Sequence, residues 1–157
     1  MATKDRIYLD KSLVSIADRL VKRLIPGSES VQGVFRDTRE LAVFAAGLGY
    51  RKQHTRAVSE QGREIKLAVI DRIELGGADI VNALAVAVRG TVGILAPELA
   101  QERSEIFEQH VNGGLDYIAG IAGPDEADIA IVAHLVKSEH APEEAQEEVL
   151  DLLGQRL

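Results

Sequence analysis

The chain has 157 residues, of which 46% are hydrophobic and 27% charged, with a formal net charge of −7 and no cysteine. That is the length of one domain and the composition of a globular chain, which excludes a long disordered polymer. It also excludes disulfides, thiolate metal sites and cysteine catalysis, and no run of about 20 apolar residues is present to span a membrane.

Met1 to Asp10 is charged and lacks the apolar segment of a secretory signal, so a cytoplasmic location is expected. Leu13, Ile16, Ala17, Leu20, Val21 and Leu24 form a helical stripe, with Asp10 as a plausible N-cap and Pro26-Gly27 as the stop. Ser28 to Gly33 reads as a loop. Asp37, with Glu40 three residues on, opens a second helix through Leu41, Val43, Phe44, Ala45 and Leu48, ending at Gly49. Its small residues, Ala45, Ala46 and Gly47, predict a closely packed partner, and Leu41 to Leu48 is the candidate face for a homodimer.

Arg51 to Glu64 is poor in apolar residues and reads as a loop. In Glu64 to Asp71 the apolar residues 65, 67 and 69 alternate, which favours a strand, although a helix also fits. Gly76-Gly77 breaks the chain, and Asp79 caps a helix from Ile80 to about Arg89. Gly90 to Ala96 is a short connection. Pro97 opens a long helix with Glu98, Glu102 and Glu105 near its positive end. Glu102, Glu105 and Glu108 read as a solvated row. Ile106, Val111, Leu115, Ile118 and Ile121 continue the helix, but Asn112-Gly113-Gly114 is expected to interrupt or kink it. After Gly123-Pro124, residues 125–153 read as two acidic helices. The first places Ile129, Val132, Leu135 and Val136 inward, with His134 near its apolar face. The expectation is a single, mostly α-helical domain over residues 1–157, with room for one small two-stranded element around Glu64 to Ile70.

Charge is unevenly placed. Residues 1–72 hold 14 Lys+Arg against 9 Asp+Glu, a balance of +5; residues 73–157 hold 4 against 16, a balance of −12. Such asymmetry fits either a partner of opposite sign or solvated helix faces. The densest basic stretch begins at Gly49. Tyr50, Arg51, Lys52, Arg56 and Arg63 are the candidate nucleic-acid contacts, because Arg offers bidentate bonds to phosphate and Tyr a ring on which a base can stack.

Candidate catalytic groups are few. An acid and a lysine two apart on a strand share a face, so Glu64 and Lys66, with Asp37 upstream, are the alternative of a metal-dependent nuclease. Asp125-Glu126-Ala127-Asp128 spells a helicase signature without the phosphate-cradling loop that chemistry needs, and Gly47-Leu48-Gly49 follows no strand. His54, His110, His134 and His140 include no pair spaced to share a metal on one helix face. No serine sits in a nucleophile-elbow context. No catalytic set, metal or cofactor is expected.

Two segments carry a family resemblance. Phe35, Asp37-Thr38, Glu40-Leu41, Val43-Phe44-Ala45-Ala46 and Leu48-Gly49-Tyr50-Arg51 resemble the N-terminal signature of a small accessory family of the bacterial DNA-phosphorothioation (Dnd) systems. Ile106-Phe107-Glu108-Gln109-His110-Val111-Asn112-Gly113-Gly114-Leu115 resembles its C-terminal signature, with His110-Val111 where the family carries Tyr-Ala. The resemblance covers residues 35–121. It implies an accessory component of a modification, restriction and antiviral defence system, acting as a DNA-binding or adaptor protein beside other proteins of that system. It carries no catalytic residues. Read physically, Asn112-Gly113-Gly114 makes a tight left-handed turn or a site of close backbone approach, or binds phosphate through bare N–H groups.

Overall fold

Ile7 and Leu9 alternate with polar neighbours in Arg6–Asp10 and are fully buried, which makes this short segment β1. The computed structural model describes residues 5–24, 26–27, 29, 31–70, 77–123, 130–135 and 137. A 3-10 turn, Lys11–Leu13, leads into α1 (Val14–Leu20), followed by β2 (Arg23–Leu24), β3 (Val31–Gln32) and α2 (Thr38–Arg51). Then come β4 (Gln61–Lys66), α3 (Leu67–Ile70) and α4 (Gly77–Arg89). Two 3-10 turns, Val92–Leu95 and Pro97–Leu99, open into α5 (Ala100–Ile121), and residues 130–135 are helical again. The fold is mostly α, with β1 antiparallel to β4 and β2 antiparallel to β3.

The α2–α5 pair is the most extensive helix contact. Leu41, Ala42, Ala45 and Ala46 bury one face of α2, while α5 is buried around most of its middle, from Ile106 to Leu115. A helix enclosed on so many sides lies at the centre of the fold, and its buried polar residues need partners there. Each large side chain enclosed there, such as Phe107, Leu115 or Ile118, contributes about 1.5–3 kcal/mol by leaving water. Ala45 of α2 therefore meets α5 of the same chain, while Gly47 stays exposed.

Asn112-Gly113-Gly114 does not interrupt α5; all three lie inside one 22-residue helix. The glycines permit contact instead. A Cβ on Gly114 would run into the Ala45 carbonyl of α2, and one on Gly113 into the His54 carbonyl. Close backbone approach was one of the readings the sequence allowed; the left-handed turn was not realised.

Glu108 and Asn112, one turn apart, reach the outer edge of β1. Glu108 Oε2 accepts from the Tyr8 N–H at 2.8 Å, Asn112 Oδ1 from the Asp10 N–H at 2.7 Å, and Asn112 Nδ2 donates to the Tyr8 carbonyl at 2.9 Å. Two side chains thus satisfy a strand edge that would otherwise be buried with unmet polar groups. Glu108 is buried, so it leaves the solvated acidic row expected for it.

The first helix ends at Leu20 rather than at Pro26-Gly27, because Val34 and Phe35 return to donate to the Leu20 carbonyl. Gly33, at φ +89°, crosses the Val21 backbone where no Cβ fits. Arg23–Leu24, expected in that helix, pairs with Val31–Gln32, expected in a loop. The second helix continues past Gly49 to Arg51, and α4 starts at Gly77 rather than after Asp79. The apolar alternation beyond Ile65 is not strand: the ladder closes where Leu67 N donates to the Asp5 carbonyl, and one helical turn follows. Ile131 and Leu135 join the core while His134 is exposed. The last acidic helix, most of the one before it and the Asp125-Glu126-Ala127-Asp128 string lie outside the described residues.

Candidate nucleic-acid interface

Asp37 caps α2, accepting from the backbone N–H groups of Arg39 and Glu40 at 2.9 and 3.1 Å. At the other end of the helix, His54 N donates to the Gly49 carbonyl at 2.8 Å and Gln53 N to the Tyr50 carbonyl at 3.1 Å. These paired bonds form a Schellman motif, whose left-handed position is occupied here by Gln53 at φ +51° rather than by the usual glycine. The motif turns the chain sharply out of α2. It leaves Tyr50 and Arg51 on the last helical turn and Lys52 at the cap.

The five basic and aromatic candidates divide into two groups. Tyr50 is 45% exposed, Arg51 is exposed beside it, and the Lys52 ammonium lies 5.5 Å over the Tyr117 ring. Arg56 and Arg63 are held within the fold. Arg56 Nη1 donates to Asp116 Oδ1 at 2.5 Å and Nη2 to Ser12 Oγ at 2.8 Å, with Asp10 Oδ1 at 3.5 Å. Arg63, on β4, pairs with Asp18 at 2.5 Å.

Asp10 is the hub of this network. Nearly fully buried, its Oδ1 accepts from Ser12 N and Oγ, and its Oδ2 from Ser59 N and Oγ, all at 2.7–3.0 Å. Those donors, the Ser12 hydroxyl first, hold its carboxyl well below the usual carboxylate range. Asp116 accepts from His54 Nε2 at 2.8 Å as well as from Arg56. The His54 bond first, and Arg56 after it, keep Asp116 ionised to lower pH than an ordinary aspartate. Asp10 was legible as a cap; its reach to Ser59 and toward Arg56 was not.

An open cleft of about 600 Å³ lies beside the end of α2. It is lined by Tyr50, Arg51, Gln53 and Thr55, by Ala87, Val88 and Arg89 of α4, and by Ile106, Gln109 and His110 of α5. The Tyr50 and His110 rings are tilted at 45° with centroids 6.3 Å apart. Arg89 is paired with Glu102 at 2.6 Å. Gln53, Arg89 and His110 were absent from the sequence-based site. His110 stood out only as a departure from the family string, and the convergence of α2, α4 and α5 has no local signal.

The alternative nuclease residues stand in separate bonds. Glu64 Oε2 accepts from Arg6 Nη1 at 3.0 Å and from the Tyr8 hydroxyl at 3.5 Å, while Asp37 pairs with Arg39 at its helix cap. Among the described residues, no group of three or more His, Asp or Glu is placed to hold a metal ion, and no helix is long and apolar enough to cross a membrane.

Compared with known families, residues 16–154 match the family described as DNA sulphur modification system-associated protein 4. The match takes in both signature segments and extends beyond 35–121 at each end. No curated protein and no solved structure matches the chain.

Proposed function

Since the chain belongs to the DNA sulphur modification system-associated protein 4 family, we propose that it serves such a system by binding DNA, with the surface at the end of α2 as the contact. The observation that carries this is the run Tyr50-Arg51-Lys52: an exposed aromatic ring and two cations on the last turn and cap of one helix. The carboxyl end of a helix carries about half a negative charge, which two full cations exceed. Arg56 and Arg63 raise the local positive potential, but each already holds a carboxylate partner. With a net charge of −7, attraction to DNA is local rather than a property of the whole chain.

The salt dependence of duplex binding tests this reading. Each neutralised phosphate adds roughly −0.9 to the slope of log affinity against log salt. Arg51 and Lys52 alone give a slope of about −2, and exchange of the Arg56 and Arg63 ion pairs for phosphate steepens it to no more than about −4. Arg51→Ala with Lys52→Ala is expected to flatten the slope by up to about 2 and leave the fold intact. No binding at low salt, or a slope unmoved by the double substitution, defeats the proposal.

An adaptor role is the second reading, favoured by one observation. Leu24 and Val31, directly paired across β2 and β3, are 69% and 56% exposed. Adjacent apolar side chains on an exposed hairpin are suited to protein contact. Retention of a second protein of the system by the wild type, but not by Leu24→Ser with Val31→Ser, would establish it.

A further inference from the structure

We propose that the cleft beside α2 is a nucleotide pocket, taking one base against the Tyr50 ring with its phosphate outward at Arg51. The choice of ligand rests on the nucleic-acid reading above; the pocket itself stands on two separate features of the cleft.

The first is His110. It lines the cleft yet is only 7% exposed. Its Nδ1 lies 2.7 Å from the Ile106 carbonyl, which can only accept, so Nδ1 carries the proton. With that proton on Nδ1, Nε2 is the ring nitrogen left to accept, and it has no hydrogen-bond partner among the described residues. An acceptor left without a protein partner in so enclosed a residue calls for a donor from water or from a ligand. An exocyclic amino group of a nucleobase is such a donor, and Tyr50, 6.3 Å from the His110 ring, supplies a face on which that base can lie.

The second is Gln53. Its φ of +51° belongs to the left-handed region, where an ordinary residue is strained and glycine is the relaxed choice at the end of a helix. The chain keeps a glutamine there, and this residue is among those that line the cleft. An amide can both donate to and accept from a base edge. Strain retained at a cleft-lining position is what a binding role produces.

The test is an NMR titration of the full chain labelled with ¹⁵N-histidine, following the His110 Nε2 resonance. Deoxyadenosine monophosphate should shift it, whereas ribose 5-phosphate, which lacks the base, should not at the same concentration. Tyr50→Ala should weaken the nucleotide by about 5- to 150-fold, the range for one base stacked on an aromatic ring. Gln53→Gly should also weaken it while raising the thermal midpoint, an opposite pairing that a purely structural residue would not show. A duplex carrying one bulged deoxyadenosine, compared with the fully paired duplex, separates the two sources of the nucleotide. A shift with the bulged duplex places an extrahelical DNA base in the pocket, and a shift with the monophosphate alone makes it a site for free nucleotide. Either result supports the pocket. No His110 shift with either ligand, an equal shift with ribose 5-phosphate, or unchanged affinity in Tyr50→Ala overturns it. Duplex binding whose salt slope depends on Arg51 and Lys52, with His110 unmoved, overturns the pocket and leaves the DNA-binding proposal standing. A shift with the monophosphate and no duplex binding does the reverse.

Discussion

Asn112, in the middle of α5, accepts the backbone N–H of Asp10 at 2.7 Å from 102 positions further along the chain, and its amide nitrogen donates to the carbonyls of both Tyr8 and Glu108 at 2.9 Å. One buried side chain therefore closes a strand edge and stays tied to its own helix. The Asn-Gly-Gly string acts as a docking device: the asparagine satisfies β1, and the glycines admit α2 and the 54–55 backbone.

Replacing Asn112 with alanine leaves the Asp10 N–H and the Tyr8 carbonyl without their partner in a buried place. Each stranded group costs about 1–3 kcal/mol, so Asn112→Ala is expected to lower stability by about 2–4 kcal/mol, read from urea denaturation. A loss below about 0.5 kcal/mol, the range of an ordinary surface change, would show that β1 does not depend on this bond.

Gly114→Ala and Gly113→Ala separate local preference from tertiary contact. Helix propensity alone predicts that each alanine stabilises α5 by about 1 kcal/mol. The neighbouring backbone carbonyls leave no space for a methyl group, and crowding of a packed core costs about 1–3 kcal/mol or more. A lower thermal midpoint for both variants is expected; a rise in either would contradict the close crossing of α2 and α5.

Stability should fall in acid, and Asp10 should carry a visible part of the fall. Its folded-state pKa lies below its unfolded value, ordinarily about 3.9. Its contribution is then complete above about pH 5 and is lost as pH drops, because the unfolded chain takes up the proton first. Asp116, Asp37 and Glu40 are displaced in the same direction. Urea midpoints measured at about pH 6 and about pH 3 should differ less in Asp10→Asn than in the wild type. An equal drop in the two proteins would remove Asp10 from the acid response.

Arg56 was grouped by sequence with the nucleic-acid contacts, and its bonds to Asp116 and Ser12 give it a second role that can be measured. With the side chain 31% exposed, solvent screens part of the pairing. Arg56→Ala should lower stability by about 1–2 kcal/mol, while Arg51→Ala stays within about 0.5 kcal/mol of wild type, as surface changes do. Equal stability in the two variants would mean that the Arg56 network does not support the fold.

Legible in the sequence alone were the features written within a few neighbouring residues: the apolar stripes of α2 and α5, the end of α4 at Arg89, the Asp10 and Asp37 caps, the entry at Pro97, and the clustering of Tyr50, Arg51 and Lys52. The two signature strings carried the family. Tertiary structure decided the rest. β1 is five residues long in a charged segment, and its partner strand is more than fifty positions away, so no local period marks it. Charge and exposure are likewise not local properties. Arg56 and Arg63 have the same sequence character as Arg51, but Asp116 and Asp18 arrive beside them only through packing of distant elements. Glu108 has the sequence character of a solvated acid, and β1 buries it. The sequence states which groups a residue carries; long-range packing determines which partners those groups find and how much water remains around them.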